Sequence, residues 1–577
     1  MSVTNPALAW PKIKPPEIEF RADRLHSSEF GDSYFQPLGS TGNPNADVLA
    51  ESRYTFVDGC RLTERWQREA PQQFCVAELG FGSGSNLVAC MKALSSNASR
   101  PKRLDYLAFE SRPLSLEQLR QAQVVHGLDL SPLINALEAD CNYPRPGCMR
   151  YSIGHNVWLT LVLGEASDTL GWFRDASVDA WFLDGFAPGR SQGLWQADVL
   201  AQVGRLSRPG ATLASFTAAS QVRRDLEAAG FQVEKTPGFG PKRERIIAVR
   251  PGEFARPECP PKVSVAGGGI MGCWASHAAH QAGLEVRWHA PQGVLEGPGS
   301  SVPVPIVSWR PSLDFGALGQ LAWASFQWAS SAYARLAPDA CRPGPLLGIE
   351  QRQLPSLEHW SVNWREVRDS GWRAQHPLYD LVNSWQLDQE LLLERFETLA
   401  SVQAPLEVDH IGPTLWATGH QDPLDLAPIV SIIRGQQSLF PAHGQVPSQA
   451  VNVGKILGPQ GQGAVFLGSS FDREPSADWQ VPRDQDDQEA LAHATARLGA
   501  LPIAGHQPLS QWVGLRAVAK GRWPNYVFLA NKGQWSVNAL GSHGFTLAPW
   551  LAEQWVSDLV GAPNVVPMHI LKQLQSS

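Results

Sequence analysis

The 577-residue chain has eight cysteines, no Cys-x-x-Cys pair and no Cys/His cluster at zinc spacing. No structural zinc module, and no metal site of any kind, is expected from such a pattern. Cys141 and Cys148 could be neighbours in space, but a chain of this length builds its cores without disulfides, so the thiols read as buried or incidental. An excess of positive charge is also missing. The net charge of -7 gives no general attraction to nucleic acid, and a polyanion site would need a local basic patch such as Arg223-Arg224, or Lys242-Arg243 with Arg245. No apolar run is long enough to span a bilayer, and Met1 to Pro16 is polar and proline-rich without the apolar core of a signal peptide. A cytoplasmic protein with no membrane attachment and no obligate protein partner is expected. Internal repeats and low-complexity tracts are absent as well.

What is present is an ordinary globular composition, 43% hydrophobic and 18% charged, at a length that predicts two or three domains. Two glycine-rich turns stand out, Glu78-Leu79-Gly80-Phe81-Gly82-Ser83-Gly84-Ser85-Asn86 and Gly267-Gly268-Gly269-Ile270-Met271-Gly272. Each follows a short apolar run that reads as a buried strand and precedes an alanine-rich helical stretch, the context that lifts such a match above chance. Strands are predicted at 74–79, 104–110, 157–163, 178–183 and 212–216, with helical stretches at 85–94, 114–126 and 220–229. That alternation predicts a parallel, doubly wound sheet. Residues 231–235 and 245–250 flank a Gly-Pro turn and should form an antiparallel hairpin at its edge. Proline density makes 251–261 a linker, so the domains are expected at 1–250 and 262–577. The second opens with a strand at 263–266, a helix at 270–283 and a strand at 285–289, and ends in a helix at 546–559.

The first turn has no Walker lysine and is not built for a nucleoside triphosphate. Gly80, Gly82 and Gly84 permit close backbone approach to a ligand, and Glu110, at the end of the next strand, can accept hydrogen bonds from both ribose hydroxyls. These features fit S-adenosylmethionine and NAD alike. The strand at 178–183 ends in Asp184-Gly185-Phe186-Ala187-Pro188, at the carboxyl edge where ligands bind in such sheets. An amine attacks a methyl sulfonium only when neutral, and a free alkylamine near pH 7 is mostly protonated, so a carboxylate there can orient the amine and take its proton. Asp184 capping a turn is the plainer alternative.

Taken together, Asp179 through Pro188, the Glu-x-Gly-Phe-Gly-x-Gly turn, Arg208-Pro209-Gly210-Ala211-Thr212-Leu213-Ala214, Val222-Arg223-Arg224, Gly238 through Glu244 and the early Asp32-Ser33-Tyr34-Phe35 resemble the MnmC family. Its members are bifunctional enzymes of 5-methylaminomethyl-2-thiouridine biosynthesis at the tRNA wobble position. The resemblance implies an N-terminal Rossmann-like methyltransferase domain that methylates an aminomethyl group on that uridine from S-adenosylmethionine. It implies cofactor contacts from Glu78, Gly80, Gly82, Gly84, Glu110 and Glu165, the last standing where the family has a shorter acid. Substrate contacts are implied for Tyr34, Phe35, Phe186, Pro188, Lys242 and Arg243, and a catalytic role for Asp184.

In the second half, Gly267, Gly269 and Gly272 form a Gly-x-Gly-x-x-Gly turn at a helix start, suited to a pyrophosphate. The strand end that usually carries a ribose-binding acid reads Arg287-Trp288-His289, with Glu285 nearby. Gly514-Leu515-Arg516 and Leu540-Gly541-Ser542-His543-Gly544-Phe545 resemble the closing motifs of the D-amino-acid-oxidase class, to which the second half of the MnmC family belongs. That implies a C-terminal FAD-binding α/β oxidoreductase domain with Gly541 and Gly544 at the cofactor and Arg516 as a bidentate carboxylate clamp. The implied reaction removes the carboxymethyl group of 5-carboxymethylaminomethyluridine by hydride transfer to the flavin, giving an imine that water splits to glyoxylate and the amine that the first domain methylates. Gly299-Ser300-Ser301-Val302-Pro303 and Lys520-Gly521-Arg522-Trp523-Pro524 depart from the family pattern. The alternatives are a methyltransferase whose remodelled or inactive second half serves tRNA docking or the stability of the protein, and a non-catalytic RNA-binding scaffold. Most of the 22 tryptophans are expected to fill cores.

Overall fold

A computed structural model describes residues 10–576 except 22–23, 35–43, 141–142, 192, 241, 257–258, 312–314, 361–363, 373, 382, 400–401, 404–412, 420–429, 462, 474–475 and 531. Phe35 and Cys141 therefore lie outside the described residues. The chain forms two compact units, one of residues 1–259 with 557–568 and the other of 260–556 with 569–577. The break at 259/260 falls within the proline-rich 251–261. Residues 557–568 pack with the first unit. Arg150 donates to Ser557 Oγ (2.7 Å) and to the Pro563 carbonyl (2.6 Å). Arg208 donates to the Gly561 carbonyl, and Asn564 Nδ2 donates to the Trp172 carbonyl at 2.8 Å.

The first unit is built on an eight-stranded sheet in the order Gln232–Pro237, Glu244–Val249, Ser207–Ser215, Val178–Leu183, Gln73–Leu79, Arg103–Glu110, Val157–Leu163, Gly147–Gly154. The five strands from Ser207–Ser215 to Val157–Leu163 run parallel, and nearly every residue in them is buried because both faces are covered. Residues 232–237 and 244–249 pair antiparallel at one edge, as expected. The other edge differs from the expectation: Gly147–Gly154 pairs antiparallel with Val157–Leu163. Its Arg, Ser and Gly content hides it from an apolar-run search.

The second unit has a six-stranded sheet in which Lys262–Ala266, Glu285–His289, Thr414–Trp416 and Gln534–Asn538 run parallel. An eight-stranded sheet follows, closed by Val430–Pro441 paired antiparallel with Ser510–Ala519. Helix Ile270–Gln281 follows the second glycine turn, and Gly544–Val560 is the late helix. Tryptophans 288, 328, 360, 550 and 555 are fully buried, which answers for much of the indole content. All seven described cysteines are free thiols, and no described helix is long and apolar enough to cross a membrane.

Candidate functional sites

In the first unit the parallel strands deliver their carboxyl ends to one cavity of about 280 Å³, lined among others by Tyr34, Gly80, Gly82, Glu110, Glu165, Asp184 and Phe186. Gly80, Gly82 and Gly84 all have positive φ, at 82°, 53° and 80°. A Cβ on Gly80 would stand 2.9 Å from the Gly185 Cα, and one on Gly82 would stand 3.1 Å from the Tyr34 ring. Glu110 ties the turn in place: its two carboxylate oxygens accept from the Gly82 amide (2.9 Å) and the Arg112 amide (2.7 Å). A carboxylate has about four acceptor sites, and these backbone bonds leave capacity for a ribose hydroxyl. Burial raises its pKa against those bonds. A glycine cradle with a carboxylate at the neighbouring strand end fits the adenosyl part of S-adenosylmethionine.

Asp184 follows Val178–Leu183, its amide bonded to the Leu79 carbonyl at 3.0 Å. Oδ1 accepts from the Gly185 amide at 2.9 Å and Oδ2 from Asn86 Nδ2 at 2.7 Å. Burial pushes its pKa up to about 6, against the Asn86 and Gly185 bonds and the charge of Lys242. Glu78, expected at the cofactor, is instead fully buried behind the turn and does not line the cavity. There it accepts from Asn86 Nδ2 (2.6 Å) and from the Tyr106 hydroxyl (2.8 Å). Desolvation and the nearby Asp184 charge hold its carboxyl well above the usual range.

Glu165 lines the cavity and accepts from Arg112 at 3.1 Å. Arg112 also makes a two-point bridge to Glu29, with both bonds at 3.0 Å. Tyr34 meets Phe186 edge-on at 5.2 Å, and Phe30 stacks on Phe186 at 4.6 Å. Pro188, Lys242 and Arg243 do not line the cavity. Lys242 pairs with Glu51 at 2.6 Å and lies over the Phe216 ring, while Arg243 is exposed. Arg245 leaves the expected basic patch altogether: it is buried, donating to the Tyr54 and Thr55 carbonyls. Asn86, Arg112 and Phe30 escaped the sequence reading. Asn86 closes the glycine turn and Arg112 stands two residues past Glu110, the only local signals they carry.

In the second unit a cavity of about 300 Å³ runs along the other glycine turn, lined by Gly267, Gly269, His289, Ser300, Arg516, Gly541 and Gly544 among others. Gly267 has φ 126°. Ser300 Oγ accepts from the Ile270 amide (3.0 Å), so the altered 299–303 segment caps the helix that the turn opens. Gly272 is not a lining residue. Its role is packing: a Cβ would overlap the Gly267 carbonyl and come 3.5 Å from Trp288 Nε1. Glu285 begins its strand, pairs with Lys262 at 2.8 Å and lies outside the lining, whereas His289 ends the strand within it. The glycine cradle at a helix N-terminus fits a dinucleotide pyrophosphate, with His289 at the position of the missing acid.

An adjoining cavity of about 310 Å³ shares Gly299, Arg516, Gly541 and Gly544 with it and has no Asp or Glu in its lining. Arg516 sits opposite Ile433 on the paired strands, two residues from Gly435. Any side chain at Gly435 would overlap the guanidinium, so that glycine makes its room. Arg516 donates to Ser469 Oγ (2.6 Å) and the Ser470 carbonyl (3.3 Å) and lies 4.7 Å over the Phe471 ring. Among the described residues no carboxylate pairs with it. Burial lowers its pKa to about 10, which leaves it charged at pH 7.

A family model described as S-adenosyl-L-methionine-dependent methyltransferase matches residues 129–251. The tRNA 5-methylaminomethyl-2-thiouridine biosynthesis bifunctional protein MnmC of Caulobacter vibrioides is 32% identical, covering 97% of this chain and 97% of its own. The same-named protein of Thiobacillus denitrificans is 29% identical, again with 97% of each chain covered. Among solved structures, iminodiacetate oxidase from Chelativorans is 16% identical with a TM-score of 0.45, covering 54% of this chain and 98% of its own. Glycine oxidase from Bacillus cereus is 13% identical with a TM-score of 0.43, covering 52% and 94%. At 32% identity across nearly all of both chains, the protein belongs to the MnmC family and is a bifunctional α/β enzyme of S-adenosylmethionine and FAD.

Proposed function

We propose that the protein modifies the wobble uridine of tRNA in two steps. The second unit removes the carboxymethyl group of 5-carboxymethylaminomethyl(-2-thio)uridine, and the first methylates the exposed amine to the 5-methylaminomethyl form. S-adenosylmethionine supplies the methyl group and FAD the hydride acceptor. The observation that carries the reading is Arg516, a desolvated guanidinium with no carboxylate partner among the described residues, at the junction of the glycine-turn cavity and an acid-free one. Such a group calls for an anion. The substrate's N-substituted glycine unit supplies one, held two-pronged so that its methylene faces the neighbouring cavity.

In the first unit Asp184 takes a proton from the substrate ammonium and keeps the amine lone pair directed at the methyl donor. Its pKa near 6 leaves it ionised at neutral pH. Phe186, with Tyr34 and Phe30 packed on it, forms the apolar wall beside that carboxylate. Lys242 and Arg243 remain candidates for tRNA contact from outside the cavity.

A methyltransferase with a second unit kept only for tRNA docking is favoured by one observation, the histidine at the ribose-acid position. The absorption spectrum of the purified protein, with released cofactor identified by mass, separates the two. Bound FAD supports the two-step reading, and a colourless protein that takes up no added FAD overturns its first step.

A further inference from the structure

Phe471 stands out among the residues around Arg516. Its side chain is 57% exposed, the highest value among the described Phe and Trp residues, yet it lines the acid-free cavity beside the clamp. A single exposed ring is ordinary on a protein surface, and what marks this one is its place in the cavity lining beside the clamp, where a ligand can cover it. The Arg516 guanidinium lies 4.7 Å from the ring centroid and Lys455 Nζ lies 6.0 Å from it. Lys455 is held by a 2.7 Å bond to the Ser469 carbonyl. An aromatic face flanked by two cations, in a cavity without a carboxylate, is matched to a ligand that is both flat and anionic.

We propose that Phe471 is the stacking platform for the target nucleobase, an extruded pyrimidine whose carboxylate arm reaches round the ring edge to Arg516. This rests on the reading of Arg516 as the clamp. The reach agrees. Four single bonds separate the base from the carboxylate carbon, a span of roughly 5 Å at about 1.5 Å per bond with tetrahedral angles. A stacked base lies about 3.5 Å above a ring. The arm plus a salt bridge therefore covers the distance from the base past the ring to a guanidinium 4.7 Å beyond its centroid. Every base has a π face, so the ring itself contributes affinity, while recognition of the modification falls to Arg516.

The test compares two ligands by calorimetry without oxygen on the full-length protein with its flavin first reduced by dithionite, so that neither ligand can be oxidised: the nucleoside 5-carboxymethylaminomethyluridine, and N-methylglycine, which has the same carboxylate-bearing amine and no base. Phe471→Ala is expected to weaken nucleoside binding about tenfold or more and to leave N-methylglycine within about twofold. Phe471→Tyr is expected to keep the nucleoside affinity. Equal weakening of both ligands would mean that Phe471 only props Arg516, and unchanged nucleoside binding would mean that no base rests on it; either overturns the platform. A wild-type protein that binds neither ligand overturns the clamp, and the platform with it.

Discussion

Glu78 and Asp184 are joined through one nitrogen: Asn86 Nδ2 gives one hydrogen to Glu78 Oε1 at 2.6 Å and the other to Asp184 Oδ2 at 2.7 Å. Two carboxyl groups that share a donor in a desolvated setting cannot both ionise easily. Desolvation and the Asp184 charge raise the Glu78 carboxyl well above its ordinary value, so Glu78 is the one that resists ionisation, beside Asp184 at the cavity. Asp184→Asn is expected to cut methyl transfer by about 10² or more, since the proton acceptor is lost. Transfer from labelled S-adenosylmethionine to pre-formed aminomethyl tRNA measures it.

The same geometry sets a pH dependence. Methylation should fall as pH drops through about 6, because a protonated Asp184 accepts no proton. Asn86→Ala removes a bond that favours the ionised form and should move that limb upward. Glu78→Gln, isosteric with the neutral acid, should leave it near the wild-type position. Charged groups around Asp184 include Lys242 and Glu51, whose opposed effects remain in both variants. Rate against pH for the three proteins checks the ordering.

Arg516→Ala is expected to lower kcat/KM for carboxymethyl removal by roughly 30-fold or more, the equivalent of losing about 2–5 kcal/mol from a desolvated charge pair. Methylation of pre-formed aminomethyl tRNA should be unaffected. Arg516→Lys should recover only part of the loss, because an ammonium cannot make the two-pronged contact.

Gly272→Ala places a methyl group against the Gly267 carbonyl, where overpacking costs about 1–3 kcal/mol. The glycine turn must open to relieve it. The flavin-to-protein absorbance ratio after purification should drop, while binding of S-adenosylmethionine by calorimetry stays unchanged.

Asn564→Ala strips the Arg174 amide of its 2.9 Å acceptor and the Trp172 and Val566 carbonyls of donors at 2.8 and 2.7 Å. Each buried group left unsatisfied costs about 1–3 kcal/mol. Thermal unfolding should show the transition that S-adenosylmethionine stabilises moving down in temperature, with flavin content intact.

The sequence made the buried strands easy to find. Val157–Leu163 and Val178–Leu183 are apolar but for Thr160 and Asp179 because both faces are covered, and their bounds were legible to the residue. Gly147–Gly154 was not, because an edge strand with Arg150 turned to a bond network carries no such run. Asp184 was legible from the strand it ends. The role of Glu78 was not: an acid before a glycine turn looks the same whether it faces the ligand or, as here, Tyr106 and Asn86 behind it. Arg245 looked like surface charge until its partners in 54–55, distant in sequence, were seen.

Residues 557–568 belong to the unit formed otherwise by the first 259 residues. During synthesis the ribosome makes almost the whole oxidoreductase portion before it emits the segment that supplies Arg150, Arg174 and Arg208 with their partners. A nascent chain stalled anywhere before residue 557 therefore holds a methyltransferase sheet without the acceptors that 557–568 add to Arg150, Arg174 and Arg208.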